Sequence, residues 1–229
     1  MKNIVLSFAL LLAASAVSAQ DSTLVKPTDP NKKMKLKKDQ FLIEFTTDGW
    51  LEKPENIKTD AYSPGFSVYS FSEIPLVANH IGFAYGYGFS SHNVHHNGYF
   101  AQDTSSTEDK LTLYALPDSI KFKKNKVSAN YLDLKVELRF RTKGKKPLGL
   151  AVGAKGGYLV NFHTKFKNED NTFKTKGLDQ AEQFRYGLTG RISYGRLGVH
   201  AWYSMSTLLK SGKGAEIVPY SIGISLSLP

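Results

Sequence analysis

The 229-residue sequence contains no cysteine. That excludes disulfides, thiolate nucleophiles, cysteine-based zinc sites and a lipidated N-terminal cysteine. Beyond Gln20 there is no apolar run of the roughly 18 residues needed to cross a bilayer as a helix. Acid is scarce: 20 Asp and Glu stand against 30 Lys and Arg, a net charge of +10. Such a surplus suits nucleic acid and anionic lipid equally, and only a compartment chooses between them. What the chain does have is aromatic residue and glycine, with 14 Phe, 12 Tyr and 19 Gly. The length allows one domain, and the composition is that of a folded chain.

The first segment supplies the compartment. Lys2 precedes an apolar run from Ile4 to Val17, followed by Ser18 and Ala19. A basic start, a short apolar stretch and a small residue at the cut predict a signal peptide over residues 1–19, cleaved before Gln20. Export removes nucleic acid as a partner. Residues 20–39 hold Pro27, Pro30 and five lysines between Lys32 and Lys38, with few large apolar side chains. They read as a flexible basic tail, either solvated or docked to anionic lipid or an acidic partner.

From Gln40 the pattern has period two. Leu132, Leu134, Val136, Leu138 and Phe140 alternate with Asp133, Lys135, Glu137, Arg139 and Arg141. On a strand this makes one face wholly apolar and the other wholly charged, whereas a helix would scatter both sets. Segments starting at Ile81, Leu148, Phe184, Leu197 and Val218 repeat the theme, and Gln40–Thr46 and Tyr62–Phe71 are weaker strands. The connections run to roughly 15, 6, 38, 6, 21, 2 and 8 residues, long and short in alternation. Residues 40–229 therefore predict an eight-stranded antiparallel up-and-down transmembrane β-barrel with long extracellular loops and short periplasmic turns.

A soluble barrel would bury the apolar face and a membrane barrel would expose it. The apolar faces carry large aromatics: Phe41, Phe45, Phe83, Tyr85, Tyr87, Phe89, Phe140, Tyr158, Phe162, Tyr186, Tyr194, Tyr203 and Tyr220. The opposite faces are rich in Gly, Ser and charges of both signs, which suits a narrow interior. Asp133, Lys135, Glu137, Arg139 and Arg141, with Glu44, Lys155, Arg185 and Arg191 from other strands, predict a lumen network of salt bridges. Eight strands leave an interior that side chains just fill.

The Gly/aromatic strands, Tyr158-Leu159-Val160-Asn161, Phe184-Arg185-Tyr186-Gly187-Leu188 and the run from Pro219 to Leu228 resemble the Bacteroidota outer-membrane β-barrel family, called porin-family or PorT-like. The likeness spans Gln40 to the end. It implies a small barrel inserted by the barrel-assembly machinery, with no catalytic residues and no cofactor.

Some sites for chemistry remain to be weighed. His92, His95 and His96 fall within five positions just past the third strand. They read either as a polar rim loop or as zinc or copper ligands. Ser90, Ser91 and His92 supply the atoms of a lipid hydrolase, but adjacent residues face opposite ways and no Gly-x-Ser-x-Gly elbow is present. Lys121, Lys123, Lys124 and Lys126 read as a solvated face or as a contact for lipopolysaccharide phosphates. The resulting expectation is a non-enzymatic outer-membrane barrel with a side-chain-filled charged lumen. It would act through the loops 48–61, 93–130 and 163–183, with outer-membrane lipid, lipopolysaccharide or an envelope protein as partner. The alternatives are a small-solute channel, a component of secretion machinery and a lipid-modifying hydrolase.

Overall fold

The computed structural model describes residues 37–77, 80–102, 110–117, 119–144, 146–169 and 171–228. The expected signal peptide and nearly all of the expected tail lie outside them. Among the described residues the elements are eleven strands: β1 Lys37–Leu51, β2 Pro64–Val77, β3 Ile81–His95, β4 Gly98–Gln102, β5 Leu111–Ala115, β6 Lys124–Arg141, β7 Leu148–Lys167, β8 Thr172–Lys176, β9 Phe184–Tyr194, β10 Leu197–Ser204 and β11 Val218–Leu228.

Eight of these pair antiparallel in the order β1-β2-β3-β6-β7-β9-β10-β11, and β11 pairs back onto β1 from Phe41↔Leu228 to Leu51↔Val218. The ring is closed, so the barrel itself has no edge strand, whereas β8 is paired on one side only, with β7. At one end the strands are joined by tight turns, such as Gly195-Arg196, where Gly195 adopts φ 62°. That left-handed conformation is available to glycine without the penalty of a Cβ. At the other end the connections are long and carry the β4–β5 hairpin and β8, which extends the sheet beside β7.

Alternation places the side chains. Leu134 is 71% exposed and Tyr87 68%, while Lys135 between its apolar neighbours is 1% exposed. The outer belt is thus apolar, interrupted on β2 by Ser70 and Ser72, and the charged residues of β6 from Asp133 to Arg139 face the axis.

The long strands correct the expected loop boundaries. β3 runs on to His95, β6 begins at Lys124 and β7 reaches Lys167, so much of the expected loops 93–130 and 163–183 is sheet. Phe162 also departs from expectation: it is 5% exposed and faces inward. The cause is a β-bulge. Asn130 pairs with Asn161 but Tyr131 pairs with Leu159, leaving Val160 unmatched. One extra residue shifts every later side chain of β7 to the other face.

Candidate functional site

The inside of the barrel has two tiers. The lower tier is charged. Arg185 donates through Nη2 to both oxygens of Asp133 at 3.0 Å, and Asp133 also accepts from Ser90 Oγ at 2.6 Å and Tyr69 Oη at 3.1 Å. The guanidinium of Arg185 lies over the rings of Tyr131 (3.6 Å) and Trp202 (4.7 Å). Gly157 lets these groups approach, because a Cβ there would strike Asp133 Oδ1 and Arg185. Lys135 bridges Glu44 at 2.7 Å and Glu137 at 3.2 Å, and His200 Nε2 stands 3.5 Å from Glu44. Glu137 Oε2 accepts from Arg139 and Arg191, each at 2.8 Å. Arg139 continues to Glu73 at 3.0 Å, and Arg141 closes on the same carboxylate. Lys155 is buried with Nζ 4.2 Å from the centre of the Trp202 ring.

The nine expected lumen residues therefore share one interior. The sequence reading missed Glu73, Asp48 and His200. Glu73 and Asp48 lie just beyond where strands were ended, at Phe71 and Thr46, on the inward parity of Tyr69-x-Phe71 and Glu44-x-Thr46. Extending the alternation by a few residues would have found both.

The upper tier is apolar. Trp50, Ile57, Val94, Leu113, Val127, Ala129, Tyr131, Phe162, Ala181, Leu208 and Ile217 form one buried cluster beneath the long connections. It closes the loop end of the barrel in the way a soluble core would.

The three histidines part company in this cap. His92 faces inward with Nδ1 3.1 Å from Asp48 Oδ1, and Ser221 Oγ donates to that same oxygen at 2.6 Å. Val94 and His96 continue the inward row, while His95 faces outward. His96 packs on Trp50 with ring centres 4.9 Å apart, and its Nδ1 accepts the Gly98 N–H at 3.1 Å. Burial holds its pKa down at about 4, with His95 adding to the effect. Among the described residues, no group of three or more His, Cys, Asp or Glu is placed to hold a metal. The hydrolase atoms are also separated by role: Ser90 Oγ is engaged with Asp133 and Arg185 in the lower tier.

At the turn end, a cavity of about 220 Å³ is lined by Gln40, Arg139, Arg141, Arg191, Arg196 and Ser227 among others. It ends against the Arg139–Glu137–Arg191 pairs.

The family model for the outer membrane protein beta-barrel domain matches residues 39–207. No curated protein matches the chain. Among solved structures, the chain is similar to Ail, the attachment invasion locus protein of Yersinia pestis, in complex with the heparin analogue sucrose octasulfate. The identity is 12% and the TM-score 0.32, over 83% of this chain and 97% of that one.

Proposed function

The chain belongs to the outer membrane protein beta-barrel domain family, and from that premise we propose that it is a non-enzymatic barrel whose lumen is blocked by its own ion pairs and whose contacts are made by its extracellular side. The observation that supports this reading is the stack of buried pairs crossing the axis from β1 and β2 through β6 to β9, with Glu44, Glu73, Asp133 and Glu137 each engaged by one or more cations. Such pairs are expensive to break, because removing one partner leaves an uncompensated buried charge. In this reading they make the plug that fills the lumen.

The finer assignment is to the PorT-like barrels of Bacteroidota, on the resemblance of Phe184–Leu188 and Pro219–Leu228. The export signal over residues 1–19, the barrel-assembly machinery as insertion partner, and outer-membrane lipid, lipopolysaccharide or an envelope protein as working partner belong to the same reading. The arginine-lined cavity at the turn end favours a small-solute channel as second reading. Planar-bilayer recording of the refolded barrel separates the two. The plugged reading expects no conductance above a small leak, and stepwise currents would replace it with the channel.

A further inference from the structure

Resting on the reading of a barrel that works through its extracellular side, we propose that the outward face of the β6–β7–β8 arm binds phosphate groups of an anionic glycolipid in the surrounding outer leaflet. The register supplies the argument. Lys126 of β6 is opposite Lys165 of β7, which is opposite Lys174 of β8, and His95 of β3 is opposite Lys126 on the other side. One row is therefore four basic residues abreast. The row below it runs Asn93, Ser128, His163 and Lys176, and the row above holds Lys124 beside Lys167. Directly opposed residues share a face with Cβ atoms about 5 Å apart, so this face gathers six lysines and two histidines with no acid among them.

Like charges placed opposite one another destabilise a sheet. A sequence indifferent to ligand has no reason to align them on three consecutive strands. Among the described residues, two acids stand off the ladder: Asp60, whose backbone N–H donates to the His95 carbonyl at 2.9 Å, and Glu169 in the turn past β7. Within the ladder, Lys126 Nζ is met by the neutral Asn93 Oδ1 at 2.6 Å.

Position favours lipid over a soluble polyanion. The bulge at Val160 puts His163, Lys165 and Lys167 on the same side of the sheet as Leu132, Leu134 and Tyr158, the exposed apolar belt. The opposite side, with Val127 and Phe162, is turned into the cap. The ladder thus faces sideways, toward the bilayer, and away from the mouth of the barrel. With about 3.3 Å per residue and a tilt near 40°, the basic rows, four to eight residues past Leu132, stand roughly 10–20 Å beyond the belt, starting just past the headgroup layer. Lysine stems bend readily toward such an interface. Phosphates carried on lipid-linked sugars meet them there.

The test uses the refolded full barrel in phosphatidylcholine nanodiscs doped with bisphosphorylated lipid A or with its dephosphorylated form, and measures lipid retained through size-exclusion by native mass spectrometry. The wild type should retain the bisphosphorylated form at least tenfold over the other. The variant Lys126→Gln/Lys165→Gln/Lys174→Gln/Lys176→Gln should retain both alike. Equal retention of the phosphorylated form by variant and wild type would overturn the proposal. So would binding of soluble heparin that competes the lipid off, which would make the ladder a soluble-polyanion site. In undoped phosphatidylcholine discs the variant should unfold at the same or a higher temperature than wild type, since repulsion is relieved. A lower temperature would assign the lysines a structural role instead. Stepwise currents from the same preparation would sink the plugged-barrel reading while leaving lipid retention as it stands.

Discussion

Along β6 the inward face carries Val127, Ala129 and Tyr131, and then Asp133, Lys135, Glu137 and Arg139. The outward face runs the other way: Lys124, Lys126, Ser128 and Asn130 give way to Leu132, Leu134, Val136, Leu138 and Phe140. One strand therefore turns itself inside out between Tyr131 and Leu132. β3 does the same where Phe89 gives way to Ser91 outside and His92 to Val94 inside, and β7 does so at its bulge. The comparison locates the edge of the membrane. Where water surrounds the sheet, hydrophobic burial drives apolar side chains inward and builds the cap. Where hydrocarbon surrounds it, apolar side chains gain nothing by turning in, and ionised ones gain each other's company on the axis.

Four measurements probe the division between the two tiers. Arg185→Leu leaves Asp133 buried with only hydroxyl donors, and should cost about 3–5 kcal/mol. The readout is a large fall in the temperature at which the heat-modifiable band shifts on gels, for the whole barrel. Trp50→Ala empties the centre of the cap at about 3–5 kcal/mol, felt locally. Proteolysis of intact vesicles should then open the long connections while the barrel keeps its gel shift. If the barrel melted too, the two tiers would be a single cooperative unit.

A pair of outward substitutions tests the boundary itself. Leu134→Arg, in the apolar belt, should destabilise by roughly 2–4 kcal/mol, whereas Asn161→Arg, exposed on the same side just above the Leu132–Tyr158 pair, should cost roughly 0–1 kcal/mol. Equal costs by urea unfolding in bilayers would show that the boundary is misplaced. The fourth is pH. His96 is neutral in the folded cap, with a pKa of about 4 against the usual 6.5. Below pH 6.5 the opened cap binds a proton that the folded one refuses, so cap stability should fall between pH 6.5 and 4, by up to about 3 kcal/mol. Protease sensitivity of the long connections should rise across that window, and His96→Gln should flatten the rise.

Much of this molecule can be read from its residues. The clean alternation of Leu132–Arg141 needs no partner strand to say which face is greasy. Strand ends are harder, and the inversion explains why. A rule of apolar outside and polar inside stops working at Tyr131, so Lys124–Asn130, Ser91–His95 and His163–Lys167 look like loop although they are sheet. Phe162 reads as outward in the sequence because nothing local marks Val160 as a bulge; the shift is visible only against β6. The lysines of β7 and β8 likewise gave no signal beside Lys124 and Lys126, since about forty residues separate them and only cross-strand register makes them neighbours.

Composition and period, by themselves, determined a β-barrel with an apolar exterior, an ionic interior and alternating long and short connections, because side-chain direction on a strand is a local property of the backbone. Which carboxylate meets which guanidinium, where the membrane ends and how the lysines line up were decided by tertiary structure alone. Those depend on the register between strands far apart in the chain, and register is set by closing the ring.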